Sequence, residues 1–180
     1  VARPISSGAI RSVCDRLAEA GYAAGAPALF DRQSPGYETG YAPDDVKNGI
    51  ALMKTFDFDR AIDDIAAAVE TLRVNGKVSI IGFCLGGSLA YRMAARSPGI
   101  ASAACYYGGL IESYADEDPK CPVVLHYGET DPSIPPDNVA TVRAKQPALP
   151  VHVYPAGHGF NCDARPAYEP ASAKLAWERT

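Results

Sequence analysis

Between Lys77 and Arg96 the chain passes from a β-prone run to a helical repeat through one short glycine-bounded turn, and few folds accept that switch. Lys77-Val78-Ser79-Ile80-Ile81 reads as a strand, Gly82-Phe83-Cys84-Leu85-Gly86 as a Gly-x-Cys-x-Gly turn, and Ser88 to Arg96 as a helix. Strand, sharp turn and helix in that order hold a nucleophile aloft in a strained backbone conformation, here with cysteine where serine is usual. Small residues at Gly82 and Gly86 let strand and helix approach without clashing side chains. A sulfur at that point meets the unpaired N–H groups and dipole of a helix N-terminus, which favour its thiolate. The plainer reading is a buried cysteine in a glycine-rich βα turn. Downstream partners in the expected order favour the nucleophile.

The rest of the chain alternates. Ile10, Val13, Leu17 and Ala20 recur at helical spacing from Ala9 to Ala20, and Gly21 stops the run. Tyr22 to Leu29 reads as a short buried strand, and Asp31 to Pro43 as a loop. Helices are expected from Asp44 to Lys54 and from about Asp59, the second with an apolar stripe of Ile62, Ile65, Val69 and Leu72. Strands are expected at Ile100–Tyr107, Pro122–Tyr127 and Val151–Tyr154, with helices at Pro136–Lys145 and from Tyr168 onward. Residues 1–8 match no element. Short apolar strands alternating with helices, without internal repeats, predict a single α/β domain over residues 1–180 with a mainly parallel sheet flanked by helices. Active sites in such sheets lie at the carboxyl ends of the strands.

Two such ends carry suitable chemistry. Asp131 follows the strand ending in His126-Tyr127-Gly128, and His158 follows the next one within Gly157-His158-Gly159-Phe160. Cysteine, then carboxylate, then histidine is the chain order of the α/β-hydrolase triad. The histidine takes the thiol proton and later returns one, the carboxylate fixes its tautomer, and the thiolate attacks a carbonyl. Asp131 alone reads equally well as a turn residue before Pro132, and Glu129 is its rival. His126 and His152 lie inside apolar strand patterns and read as structural. Cys14, Cys105 and Cys121 read as small buried hydrophobes, and Cys162 as a bystander near the pocket. Tyr106-Tyr107-Gly108-Gly109, which ends its strand at the active-site edge, reads as pocket wall or as core packing. Tyr106 and Phe160 are the expected substrate contacts.

Composition narrows the partners. Net charge is −4, from 17 basic and 21 acidic residues, and no basic run appears, which argues against nucleic acid. No apolar stretch approaches a membrane span and no signal peptide is recognisable. Five cysteines without CxxC spacing suggest neither a disulfide framework nor a zinc site, so a cytoplasmic location is expected.

These residues together resemble the dienelactone hydrolase family of α/β-hydrolases, over nearly the whole chain from about Ile10. The resemblance is carried by Gly82-Phe83-Cys84-Leu85-Gly86-Gly87, Tyr106-Tyr107-Gly108, His126-Tyr127-Gly128-x-x-Asp131, Gly157-His158-Gly159-Phe160, and a tail from Tyr168-Glu169-Pro170 through Ala176-Trp177-Glu178-Arg179-Thr180. It implies hydrolysis of an enol-lactone or related small ester by Cys84, His158 and Asp131, with the Leu85 N–H as half of the oxyanion hole. It implies no metal and no organic cofactor. Three departures accompany it. Family members carry two or three strands ahead of the helix that begins here near Ala9, so the fold is expected to be N-terminally truncated, without the second oxyanion donor. The glutamate that meets the nucleophile in the family has no counterpart in residues 1–8. The arginines that bind a substrate carboxylate are absent from Asp44–Asn48 and from Gly159–Asp163, which points to a broader ester or lactone substrate.

Two other readings stand beside the hydrolase. One is a catalytically impaired scaffold or binding remnant of the same fold. The other is a redox-sensing thiol at Cys84. A monomer is the default state, although an exposed sheet edge would invite dimerisation.

Overall fold

The computed structural model describes residues 8–180, and Val1–Ser7 lie outside the described residues. The chain forms two compact units, one up to Gly76 and one from Lys77 to Thr180.

The first unit is helical. Helix α1 spans Gly8–Glu19, α2 Pro43–Met53 and α3 Phe58–Leu72, followed by a single 3₁₀ turn at Arg73–Asn75. Pro43 opens α2, a position where its missing N–H costs nothing. The Asp57 carboxylate caps α3 by accepting from the N–H groups of Asp59 and Arg60 at 3.1 and 3.0 Å. The buried face of α3 is Ala61, Ile65 and Val69, spaced by four. Ile62 and Leu72, expected in that stripe, sit at its half-exposed margins. Phe30, Phe56 and Phe58 pack ring against ring, and Arg32 grips Asp64 through two bonds of 2.6 and 2.8 Å. The strand expected at Tyr22–Leu29 does not form, and those residues join no ladder. Half of the segment is alanine, and it carries Gly25 and Pro27, so it offers little branched bulk to a sheet and one backbone donor fewer.

The second unit is built on a four-stranded parallel sheet in the order β1 (Ile80–Phe83), β2 (Ala103–Tyr106), β3 (Val123–Gly128), β4 (Val151–Tyr154). Helices α4 (Leu85–Arg96), α5 (Ile111–Tyr114), α6 (Pro136–Lys145) and α7 (Pro170–Glu178) complete it. The short α5 had no signal in the sequence. Among the described residues β1 pairs only with β2 and is an edge of the sheet. The strands are nearly continuous apolar runs, as sheets covered by helices require. From Gly87 to Ala95 α4 is wholly buried. Full burial of side chains such as Leu89, Ile111 and Leu125 contributes about 1.5–3 kcal/mol each.

One rung crosses the whole sheet. Phe83 registers with Tyr106, Tyr106 with His126, and His126 with His152. Their ring centroids lie 4.8, 4.4 and 5.7 Å apart in turn. Rings in cross-strand register pack face to face and lock the pairing, since a slip by one residue would turn every ring to the other side. The C-terminal residue ties this rung down. The Thr180 hydroxyl lies 2.8 Å from the Tyr106 hydroxyl and 3.2 Å from His126 Nε2, while His126 Nδ1 lies 2.9 Å from the Tyr154 hydroxyl.

Candidate active site

The loops that leave the carboxyl ends of β1, β3 and β4 converge because backbone pairing runs on past the strands. Cys84 N–H donates to Tyr106 O at 3.0 Å, which carries the first loop one residue beyond β1. Glu129 and Thr130 donate to Tyr154 O and Ala156 O at 2.8 and 3.1 Å, which presses the loop after β3 against that after β4. A Cβ on Gly128 would sit 2.4 Å from Ala156 O, so only glycine permits that approach.

Cys84 stands between β1 and α4 with φ 55° and ψ −115°, a left-handed conformation that costs a non-glycine residue of order 1–3 kcal/mol. The strain is imposed by packing around Gly82, where a Cβ would lie 1.9 Å from Gly86 O. Gly86 carries no such demand, since a Cβ there would meet nothing within 4 Å. Its partner in the tight approach is Gly87, whose Cβ would press to 2.5 Å from Tyr106 O. The expectation for the second glycine of the turn is corrected accordingly: its neighbour bears the contact.

The three chemical side chains meet in a line. His158 Nε2 lies 3.1 Å from Cys84 Sγ, and His158 Nδ1 lies 2.7 Å from Asp131 Oδ2. The other oxygen, Asp131 Oδ1, accepts from Ser133 N–H at 2.8 Å, so both carboxylate oxygens are engaged. The Asp131 side chain is fully buried and that of His158 is 17% exposed. Glu129 is exposed, and the carboxylate that meets His158 is that of Asp131.

The electrostatics follow from this line. Burial opposes the His158 charge, but its bonds to Asp131 and Cys84 and their negative charges prevail and raise it to about 9. Burial likewise pushes the Cys84 thiol up. Hydrogen bonding and charge from His158, the Leu85 N–H and the charge of Arg165 outweigh it and bring the thiol below its ordinary value. Both shifts favour a thiolate beside an imidazolium. The other cysteines behave differently: burial drives the Cys14, Cys105 and Cys121 thiols upward. Of these Cys105 is fully buried as expected, whereas Cys14 and Cys121 are half-exposed. Cys162 is buried close behind the His158 loop.

The expected substrate contacts are placed otherwise. Tyr106 and Phe160 are both 0% exposed, so neither ring has a face open to a ligand, and Tyr106 is locked into the rung beneath the site. The residue that reaches His158 from the end of β2 is Tyr107. Its φ of 38° turns the chain so that its ring centroid lies 5.1 Å from that of His158. His126 and His152 are structural, as read: burial holds His126 neutral down to about 3. Arg165 was missed. It lies two residues beyond the arginine-free stretch Gly159–Asp163, and its guanidinium folds back over Gly159. The positive φ of Gly159, 83°, was the one local sign of that reversal.

Among the described residues no group of histidine, cysteine and carboxylate side chains is arranged to hold a metal, and no helix is long and apolar enough to cross a membrane.

Comparison with known proteins bears on this geometry. The model of the dienelactone hydrolase family matches residues 5–180. Carboxymethylenebutenolidase 1 of Cupriavidus pinatubonensis is 31% identical over 181 residues, covering 95% of this chain and 77% of its own length. The carboxymethylenebutenolidase of Pseudomonas putida is 34% identical over 183 residues, covering 94% and 76%. A crystal structure named "Putative Dienelactone Hydrolase" from Klebsiella pneumoniae superposes with a TM-score of 0.84 at 32% identity, over 96% of this chain and 78% of that one.

Proposed function

The chain belongs to the dienelactone hydrolase family, a family of α/β-fold hydrolases, and from that premise we propose that Cys84, His158 and Asp131 form its catalytic triad and open a small ester or lactone. The observation that carries this reading is the unbroken line from Cys84 Sγ through His158 to Asp131, at 3.1 and 2.7 Å.

The steps follow from the geometry. The Cys84 thiolate attacks the carbonyl carbon, and the charge passes from sulfur to the carbonyl oxygen. The Leu85 N–H, which faces the sulfur in the resting state, then has an oxyanion in place of a thiolate to stabilise. As the carbon–oxygen bond breaks, His158 Nε2 gives its proton to the leaving oxygen, and a thioester remains on Cys84. His158, now neutral, removes a proton from water. The hydroxide attacks the thioester, and the carbon–sulfur bond breaks to return thiolate and imidazolium. Asp131 holds the Nδ1–H throughout, so that Nε2 always faces the chemistry. Tyr107 backs the imidazole ring and keeps it from swinging away. We place all 180 residues in one catalytic unit of function, and five cysteines without CxxC spacing, all free, support a reducing compartment such as the cytoplasm.

Stopped-flow hydrolysis of p-nitrophenyl acetate tests the reading. A burst equal to the protein concentration, abolished by prior iodoacetamide and absent from Cys84→Ala, is the expected result. A burst that survives in Cys84→Ala refutes the assignment.

A further inference from the structure

We propose that Arg165 is a positioning residue for this reaction: its guanidinium, laid over Gly159, is a permanent positive charge that keeps the Cys84 sulfur anionic and makes it the better leaving group when the acyl-enzyme breaks down. The inference rests on Cys84 being the nucleophile.

The placement is built by the backbone. Gly159 follows His158 directly, and a Cβ on it would lie 2.7 Å from a terminal nitrogen of Arg165 and 3.3 Å from its Cζ. The cradle for the guanidinium thus exists because residue 159 has no side chain. The loop that delivers it is closed at three points. Arg165 N–H donates to Cys162 O at 3.1 Å, Tyr168 N–H to Arg165 O at 3.0 Å, and Glu169 N–H to Phe160 O at 3.0 Å. Glu169 in turn caps α7, accepting from Ala171 and Ser172 at 3.2 and 2.6 Å, so the far end of the loop is anchored to a helix. The guanidinium is thereby held against the residue next to His158, whose Nε2 lies 3.1 Å from Cys84 Sγ, and at that place its charge favours the thiolate as His158 does.

Four groups face or feed that sulfur. His158 and Arg165 come from the segment after β4, the Leu85 N–H comes from α4, and Asp131 from the loop after β3 acts through His158. His158 cannot serve as a constant counter-charge, because it is neutral from the moment it protonates the leaving oxygen until it deprotonates water. A guanidinium does not titrate in this range. Arg165 is therefore the cation that persists while the thioester awaits water, and it acts together with the restored imidazolium when the thiolate is expelled, a step that is easier the lower the thiolate's basicity.

The test is the pH dependence of iodoacetamide alkylation at Cys84, followed on the Cys84 peptide by mass spectrometry, in the wild-type chain, Arg165→Gln and Arg165→Lys. The wild-type midpoint is expected well below the free-thiol value of about 8.5. In Arg165→Gln it rises by about half a unit to one unit, the low end of the effect of a neighbouring opposite charge. Because nucleophilicity follows basicity, the high-pH plateau of Arg165→Gln rises by about twofold while its rate at low pH falls, so the two profiles cross. Arg165→Lys keeps the wild-type midpoint. A merely structural role would lower the rate at every pH and would not be restored by lysine. An Arg165→Gln midpoint equal to that of the wild type overturns this proposal and leaves the triad standing. A wild-type midpoint near the free-thiol value overturns the triad itself.

Discussion

Replacing Gly82 by alanine tests whether the strain at Cys84 comes from the approach of β1 to α4. The added Cβ would lie 1.9 Å from Gly86 O, 2.3 Å from Gly86 C and 2.8 Å from Gly87 N, all backbone atoms that no rotamer change can move aside. Bringing the shortest contact to 3.0 Å, below which real Cβ contacts essentially never fall, requires strand and helix to part by about 1.1 Å. Overpacking of a close-packed interface costs typically 1–3 kcal/mol, and a backbone-on-backbone contact belongs at the upper end. A loss of about 3 kcal/mol multiplies the unfolded population about 150-fold and, at a urea slope of about 2 kcal/mol/M, lowers the midpoint by about 1.5 M. The single tryptophan, Trp177, lies in α7 and reports unfolding of the sheet unit. Gly86→Ala is the matched control. Its Cβ meets nothing within 4 Å, and alanine is a better helix former than glycine by up to about 1 kcal/mol, so its midpoint should hold or rise. A Gly82→Ala chain with a wild-type midpoint and wild-type Cys84 alkylation would refute the reasoning, because the elbow would then not depend on that contact.

Two further outcomes follow from the site and the rung beneath it. Asp131→Asn keeps the bond from Ser133 N–H but no longer fixes the His158 proton, so the burst rate should fall by about 10²–10⁴ while the Trp177 urea midpoint stays within about 0.5 M; an unchanged burst would remove Asp131 from the mechanism. His126 is held neutral to about 3 in the folded chain against about 6.5 unfolded, so below pH 6.5 the unfolded chain binds a proton that the folded one refuses, and stability falls with pH by about 2 kcal/mol between 6.5 and 5. His126→Leu should be less stable at pH 7 yet lose less on acidification, and equal pH slopes in the two chains would show that another group governs the acid limb.

The elbow was legible because it is local: strand, glycine turn and helix occupy adjacent residues, and Cys84 could take no other place. The order Cys84, Asp131, His158 was legible for a related reason, since a parallel sheet puts all strand ends on one side, and a residue just past a strand is a residue at the site. Tyr106 and Tyr107 mark where this fails. They are chain neighbours, and only the backbone reversal at Tyr107 decides which ring goes down into the rung and which goes up against His158. The pattern Tyr-Tyr-Gly-Gly contains no instruction on that choice. Arg165 escaped for the opposite reason. It reaches Gly159, next to His158, through a loop closed by Glu169 N–H on Phe160 O, a bond whose partners lie nine positions apart with no periodic pattern between them. The segment Tyr22–Leu29 shows the limit of apolar runs as a signal, since alanine fills a strand pattern by hydrophobicity without the branched bulk that holds a strand in a sheet.

The rung explains why a site assembled from three loops keeps bond-length precision. Phe83, Tyr106, His126 and His152 occupy matching register positions on four parallel strands, so their stacking fixes the relative heights of the strand ends. Cys84 is the next residue after Phe83 and Tyr107 the next after Tyr106, which places the Cys84 thiol and the ring behind His158 one step above a locked layer. His126 is neutral there because burial disfavours its charge and the His152 ring and Arg179 guanidinium oppose it further, and its two nitrogens are already engaged with Thr180 and Tyr154 hydroxyls. The same imidazole chemistry is thus used in two opposite ways one layer apart. His158, beside Asp131 and Cys84, is pushed toward its charged form. His126, buried among hydroxyls and rings, is pushed toward its neutral form within the layer that sets the strand ends.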